Sequence, residues 1–99
     1  LFRRRLGGRG IIMLLTVDIG NTNITFGVFE GKRLITTFRM NTIQTRTSDE
    51  YGMVMCELLE HNQVPVATIS DVIIASVVPN VMYSLTSAII KTDYYRDRY

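Results

Sequence analysis

The sequence predicts a single α/β domain built around a mixed β-sheet. Three observations predict this fold: three strand-like runs separated by short turns come first, two amphipathic helical patterns follow, and an almost continuously apolar run lies between those two helices. Strands joined by short turns pair antiparallel, whereas a strand reached through a helix tends to pair parallel. The order strand, strand, strand, helix, strand, helix therefore implies a mixed sheet with helices packed against it.

The first three strands are predicted from local patterns early in the chain. Residues 14–19 are short, apolar and followed by a Gly-Asn pair, which favours a buried strand over a helix. Residues 24–29 alternate in the manner of a half-buried strand, and residues 33–40 are again rich in residues that favour strands. Gly31 lies in the turn between them, at a position where a positive φ is expected. These strands should form an antiparallel meander.

Two helices and a fourth strand are predicted farther along. Thr47 and Glu50 have the spacing of a capping box, so a helix should begin just after Thr47, and Pro65 prevents it from continuing far beyond His61. Residues 71–78 form the apolar run, which is typical of a strand covered on both faces. The second helix opens at Pro79. Apolar stripes at helical spacing are formed by Tyr51, Val54, Met55, Leu58 and Leu59 in the first helix, and by Val81, Met82, Leu85, Ala88 and Ile89 in the second.

The two ends of the chain depart from this pattern. Residues 1–12 hold four of the eleven basic residues and precede Met13, and we interpret them as an upstream or non-native arm. Residues 92–99 mix tyrosines with charges and show no apolar period, so we expect an irregular tail. Residues 13–91 would then form the domain. From Met13 onward seven basic residues face nine acidic ones, a net charge of −2, so the basic patch of a nucleic-acid-binding domain is missing.

Composition narrows the class of protein further. The hydrophobic fraction of 46% and the charged fraction of 20% are those of an ordinary globular protein, and 99 residues can form one core but not a two-lobed enzyme. No stretch approaches the ~18 apolar residues of a membrane-spanning helix, so no membrane partner is expected. The single cysteine, Cys56, fits a reducing compartment, and the cytoplasm is the expected location.

The stretch between the first two strands carries the strongest functional signal. A turn there leaves backbone N–H groups that can form a concavity for anions, and Gly20 would let a phosphate approach the backbone closely. Asp18, at the end of a buried strand, is a hard oxygen ligand suited to a hydrated Mg²⁺. Held phosphates and a positioned metal are what phosphoryl transfer requires. The candidate site consists of Asp18, Ile19, Gly20, Asn21, Thr22, Asn23, Ile24 and Thr25. The alternative is a simple tight hairpin in which Asp18 and Thr22 satisfy local backbone groups.

A family resemblance favours the functional interpretation. The sequence Asp18-Ile19-Gly20-Asn21-Thr22 resembles the first phosphate motif of actin-like kinases, in the form found in type III pantothenate kinases. Residues 46–51, Arg-Thr-Ser-Asp-Glu-Tyr, and residues 74–79, Ile-Ala-Ser-Val-Val-Pro, resemble the same family in order and spacing. The resemblance covers Met13 to about Lys91. It implies a ribonuclease-H-like, actin-like half-domain of order β-β-β-α-β-α, truncated before its last strand and helix, with the sheet edge at that position left unpaired.

The resemblance also implies a reaction. The whole protein would transfer the γ-phosphate of ATP to pantothenate, the first step of coenzyme A synthesis, with Mg²⁺ and a monovalent cation, K⁺ or NH₄⁺. Members of the family are cytoplasmic homodimers with two actin-like domains in each subunit. Residues 18–25 would face the ATP phosphates, with Asp18 nearest the metal. The catalytic aspartate of the family belongs to a later Gly-Xaa-Asp-Arg motif that residues 1–99 do not contain, so we assign no catalytic residue here and expect these residues alone to be inactive.

Two other functions stay open at this stage. A non-catalytic nucleotide-binding or regulatory relative could use the same fold, because fold does not fix function. A nucleic-acid-binding protein would use the arginines of residues 1–12, and its affinity would depend steeply on salt. His61, at a polar helix end, is interpreted as a solvated residue, and Cys56, off the apolar stripe of its helix, as an unreactive thiol. Met53, Met55 and Met82 are interpreted as core-packing residues.

Overall fold

The computed structural model describes residues 1–5 and 13–98. These residues form one β-sheet, two α-helices and a short 3₁₀ turn. The strands are β1 (Phe2–Arg5), β2 (Met13–Ile19), β3 (Asn23–Glu30), β4 (Arg33–Asn41) and β5 (Ile69–Ser76), the helices are α1 (Ser48–His61) and α2 (Pro79–Arg98), and the 3₁₀ turn is Val66–Thr68.

The sheet has the strand order β1-β5-β2-β3-β4. Strands β2, β3 and β4 form the predicted antiparallel meander, and β5 pairs parallel with β2 after the chain has passed through α1. Gly31, in the turn between β3 and β4, has a φ of +60°, a conformation that glycine adopts without steric cost. The predicted α/β fold with a mixed sheet and two helices is therefore confirmed.

The core lies between one face of the sheet and the two helices. Alternate residues of each strand point to this face because side chains of a strand alternate in direction. The rings of Phe26 and Phe38 stack there with centroids 5.0 Å apart. Buried residues of the core include Leu15, Val17, Ile19, Ile24, Val28, Val72 and Ile74 from the strands, and Tyr51, Met55, Leu59, Val81, Leu85, Ala88 and Ile89 from the helices. The predicted stripes of both helices thus face the sheet, whereas Met53, expected to pack in the core, is exposed.

The start of α1 follows the prediction closely. The Glu50 N–H donates to Thr47 Oγ1 at 3.1 Å, and the Thr47 N–H donates to Glu50 Oε1 at 3.0 Å, so the capping box is complete. One turn farther, the hydroxyl of buried Tyr51 donates to the Ile43 carbonyl at 2.5 Å and accepts from the Ile43 N–H at 3.2 Å. The segment that joins β4 to α1 is therefore held at both its ends.

Two predictions need correction: the unpaired sheet edge and the irregular tail at residues 92–99. Phe2–Arg5 forms strand β1, which pairs antiparallel with the outer edge of β5 and covers the edge that was expected to be unpaired. Residues 92–98, expected to be irregular, continue α2 because neither proline nor glycine interrupts a helix that is already nucleated. The interpretation of residues 1–12 as upstream or non-native sequence stays a prediction; residues 6–12, like Tyr99, lie outside the described residues.

Candidate phosphate-binding site

The predicted site is a short turn between two buried isoleucines. Ile19 ends β2, Ile24 lies at the start of β3, and the two are paired across the strands with both side chains fully buried. Asn21 and Thr22, at the tip of the turn, are exposed. Burial on both sides fixes where the turn begins and ends, so its polar residues are presented to solvent from a rigid base.

Backbone hydrogen bonds define the shape of the turn. The Gly20 N–H donates to the Asn23 carbonyl at 2.9 Å, which closes it. A Cβ at position 20 would lie 3.2 Å from that same carbonyl oxygen, a close approach that glycine permits. Within the described part of the chain, the backbone N–H groups of Asn21 and Thr22 donate no hydrogen bond. The tip of the turn thus presents the backbone donors that an anion site needs.

Thr42, just after β4, holds the turn from the side. Its hydroxyl donates to the Gly20 carbonyl at 2.8 Å, and its N–H donates to the Thr22 carbonyl at 2.9 Å. The two carbonyl oxygens are therefore occupied and directed toward β4. Sequence reasoning missed Thr42; the register of the β3–β4 hairpin, which pairs Asn23 with Asn41, was the signal that could have found it.

The connection from β5 to α2 lies against the other side of the turn. The Val77 N–H donates to the Ile19 carbonyl at 3.1 Å. The Ser76 hydroxyl accepts from the Val78 N–H at 2.8 Å and so supports the step into α2, which begins at Pro79. The amino-terminal end of a helix carries partial positive charge, so this neighbour favours an anion near the turn.

A row of residues crosses the face of the sheet opposite the helices, which we call the open face. The strand pairing aligns Ala75 of β5, Asp18 of β2, Thr25 of β3 and Arg39 of β4, and all of them are exposed. Neighbouring strands are about 4.8 Å apart, so the backbones of Asp18 and Arg39 are separated by about 10 Å. The open face thus places a carboxylate, a hydroxyl and a cation side by side next to the turn.

The polar side chains of the site are not used to hold the fold together. Among the described residues, no hydrogen bond or ion pair involves the side chain of Asp18 or Thr22. The alternative of a simple hairpin required such hydrogen bonds to local backbone groups. The same described ranges contain no cluster of three or more His, Cys, Asp or Glu side chains suited to a metal ion. One carboxylate beside hydroxyls suits a Mg²⁺ that keeps its water and binds phosphate oxygens, rather than an ion enclosed by protein ligands.

The other candidate residues lie away from this turn. Cys56 is half-buried in a groove of about 220 Å³ between α1 and α2, and burial raises the pKa of its thiol, an effect that the neighbouring Thr92 side chain offsets only in part. A raised thiol pKa lowers the fraction of reactive thiolate, which agrees with the interpretation of an unreactive cysteine. His61 is exposed at the end of α1.

The fold defines the class of protein. The mixed sheet begins with an antiparallel meander and adds a parallel strand through a helix, and a polar turn with a glycine joins β2 to β3. This arrangement is compatible with one half-domain of the actin-like type. Within the described residues, no helix is both long and apolar enough to span a bilayer.

Comparison with known proteins places the chain in one family of that class. The model of the family "Type III pantothenate kinase" matches residues 14–95. The type III pantothenate kinase of Agathobacter rectalis is 57% identical to this chain over 79 residues. This chain therefore belongs to the type III pantothenate kinase family. The alignment covers 80% of this chain and 30% of the Agathobacter protein, so the chain spans less than a third of the length of that relative.

Proposed function

We propose that the whole protein phosphorylates pantothenate with ATP to give 4′-phosphopantothenate, the first step of coenzyme A synthesis. The observation that carries the proposal is the family match over residues 14–95, which includes the complete turn from Asp18 to Thr25. In this proposal the present chain supplies the part of the enzyme that holds the phosphates of ATP. The chemical step itself depends on a base that residues 1–99 do not supply, so this chain alone is inactive.

The turn is suited to hold phosphate through its backbone. Within the described residues, the N–H groups of Asn21 and Thr22 at its tip donate no hydrogen bond, while the carbonyl oxygens of Gly20 and Thr22 accept from Thr42. Repulsion between those carbonyls and an anion is thereby reduced, and the donors remain available. The hydroxyls of Thr22 and Thr25, together with the amides of Asn21 and Asn23, supply further neutral donors beside the same space.

Asp18 would hold a Mg²⁺ that accompanies the nucleotide. Its carboxylate is exposed on the open face and lies beside Thr25 in the register of the sheet. A bound Mg²⁺ would neutralise charge that develops on the transferred phosphoryl group. Arg39, aligned with Thr25 on the other side, adds a fixed positive charge near the phosphates. The monovalent cation, K⁺ or NH₄⁺, and the homodimer belong to the whole enzyme, which we place in the cytoplasm.

Kinase activity of the whole protein tests this function. The protein that contains this sequence would be assayed for ADP release that depends on pantothenate, in parallel with the variants Asp18→Asn and Glu57→Gln. We expect Asp18→Asn to lower kcat/KM by about 100-fold, which corresponds to about 2.7 kcal/mol of transition-state stabilisation. Glu57 is exposed on α1, outside the site, so Glu57→Gln is a control that also removes one carboxylate. This control variant should leave activity unchanged.

Two results would contradict the proposal. The absence of phosphate transfer to pantothenate by the whole protein would refute the activity, and would favour a nucleotide-binding or regulatory role for the same turn. Equal loss in Asp18→Asn and Glu57→Gln would instead refute the role of Asp18. Nucleic-acid binding through the arginine arm has less support, because Arg3 pairs with Asp71 within the chain.

A further inference from the structure

The guanidinium group of Arg46 has a donor that the fold leaves without a partner. Its Nη1 atom is buried and, within residues 1–5 and 13–98, makes no hydrogen bond. We propose that Arg46 binds an anionic oxygen of one of the two reactants beside the turn at Gly20, and that its side chain leaves its buried position to do so. This inference rests on the proposed function, because it takes that turn as the place where the reactants bind.

The segment that carries Arg46 is attached to the candidate site. Thr42, at the start of this segment, donates to the carbonyl oxygens of Gly20 and Thr22. The Arg46 N–H donates to the Ile43 carbonyl at 3.2 Å, which closes a β-turn. The ends of such a turn lie less than about 7 Å apart and consecutive Cα atoms about 3.8 Å apart, so the Cα atoms of Arg46 and Thr42 are within about 11 Å of each other. Arg46 is therefore one short segment away from the site.

The backbone of this segment is firmly held, whereas the Arg46 side chain is not. The Tyr51 ring is fully buried, and its hydroxyl makes two hydrogen bonds with the Ile43 backbone. The guanidinium carbon of Arg46 lies 5.8 Å from the centroid of that ring, near the ~6 Å limit of a cation–π contact. The Glu50 carboxylate is exposed, and its Oε1 accepts from the Thr47 N–H. The ring contact is therefore a weak restraint on the guanidinium group.

The energetic balance at Arg46 favours an acceptor supplied by a ligand. A buried N–H without an acceptor destabilises the folded chain, because burial removes its hydrogen bonds to water. Arginine presents its N–H donors in a planar fork that fits the oxygens of a carboxylate or a phosphate group. An anion that accepts from this fork removes the cost of the unpaired donor and adds charge-assisted hydrogen bonds. Movement of the side chain and binding of the anion therefore favour each other.

Positive charge on both sides of the sheet supports an anion at this position. Arg39 lies on the open face, whereas Arg46 rests against Tyr51, which packs between α1 and the sheet. The turn thus has a cation near it on each side. Two anionic groups enter the proposed reaction: the phosphates of ATP and the carboxylate of pantothenate. Both present the same kind of oxygen to an arginine, and the affinity for each reactant can be measured separately.

Binding of each reactant by the whole protein tests the role of Arg46. Isothermal titration calorimetry would give the Kd for the Mg²⁺ complex of a non-hydrolysable ATP analogue and, separately, the Kd for pantothenate. The variants are Arg46→Ala, Arg46→Lys and Arg33→Ala, the control at an exposed arginine of β4. We expect Arg46→Ala to raise one Kd by at least about tenfold, Arg46→Lys to raise the same Kd by about threefold or more, and Arg33→Ala to change neither by more than about twofold.

The pattern of the two Kd values identifies the oxygen. A higher Kd for the nucleotide alone assigns Arg46 to a phosphate, and a higher Kd for pantothenate alone assigns it to the carboxylate. Values for both reactants that match those of Arg33→Ala would overturn the proposal. An equal rise in both would indicate a general disturbance of the site and would also overturn it. Affinities of Arg46→Lys equal to those of the native protein would overturn the need for a guanidinium group.

Thermal unfolding of the ligand-free whole protein separates binding from a structural role. An arginine with an unsatisfied buried donor contributes little to stability, so Arg46→Ala should lower the Tm by less than about 4 °C. A larger loss would show that another part of the protein pairs with Arg46 and would overturn the proposal. Native protein that binds neither reactant would overturn it as well. Native protein that binds both without pantothenate-dependent ADP release would refute the proposed function instead, while the Kd comparison would still decide the role of Arg46.

Discussion

Gly27, at the centre of β3, leaves no room for a side chain on the open face. A Cβ added there would lie 2.7 Å from Thr16 Oγ1 and 3.3 Å from Phe29 Cε1. Thr16 is its partner across the strands, and the Thr16 hydroxyl donates to the Gly27 carbonyl at 3.3 Å. Because the β-branched side chain of Thr16 has restricted χ1 rotamers, it cannot move aside without cost.

The expected cost of Gly27→Ala follows from these contacts. Overpacking of this kind destabilises by about 1–3 kcal/mol, and loss of the threonine hydrogen bond adds about 0.5–1.5 kcal/mol. Replacing glycine also reduces the entropy of the unfolded chain, which offsets about 0.4–1 kcal/mol. We therefore expect a net loss of about 2 kcal/mol in the free energy of unfolding.

Urea unfolding of four chains measures this effect: native, Gly27→Ala, Thr16→Ala and the double variant. Removal of the Thr16 hydroxyl and methyl groups should make room for the new Cβ, so the double variant should be more stable than the sum of the single effects predicts by about 1 kcal/mol or more. Additivity of the two substitutions within about 0.5 kcal/mol would show that they do not compete for the same space, and would refute the steric reasoning.

Three further substitutions test other parts of the fold. Gly52→Ala in α1 should raise the free energy of unfolding by up to about 1 kcal/mol, because its Cβ would have an ordinary 3.4 Å contact with α2 and alanine is the better helix former; a loss of stability in the same urea assay would count against this packing. Tyr51→Phe should lower stability by about 1–3 kcal/mol, because the Ile43 backbone loses both its hydrogen bonds to the hydroxyl, and an unchanged urea midpoint would contradict that anchor. Hydrogen bonds from the Thr47 backbone and side chain lower the pKa of Glu50 in the folded chain. The ionised Glu50 therefore contributes its full stabilisation above the unfolded glutamate pKa of about 4.3, and this stabilisation is lost as the pH falls through the lower folded pKa. Between pH 7 and pH 3, the thermal unfolding temperature should decrease less for Glu50→Gln than for the native chain. An identical dependence of the unfolding temperature on pH in both chains would argue against this titration.

The sequence predicted those features that local patterns determine. Thr47 and Glu50 identified the start of α1 because a capping box needs only four consecutive residues. Gly31 identified the β3–β4 turn because a positive φ is a local requirement. The position of the turn at Gly20 followed from the apolar strands on either side of it. These features depend on short-range geometry, which can be predicted directly from a single sequence.

Features that depend on distant contacts were missed. Strand β1 has the composition of a solvated arginine segment, and only its pairing with Asp71 and Ile74, about seventy residues away, makes it a strand. Thr42 and Arg39 join the candidate site through the register of the sheet rather than through a motif. In each case tertiary packing, which propensity does not encode, decided the outcome.

Hydrogen exchange of the whole protein, with and without a non-hydrolysable ATP analogue and Mg²⁺, tests the proposed phosphate site most directly. Nucleotide should slow exchange in the peptide that contains Asn21 and Thr22, and Asp18→Asn should abolish most of that protection while Glu57→Gln preserves it. Protection by nucleotide elsewhere in the protein, with unchanged exchange across this turn, would contradict the assignment of the turn as the phosphate-binding site.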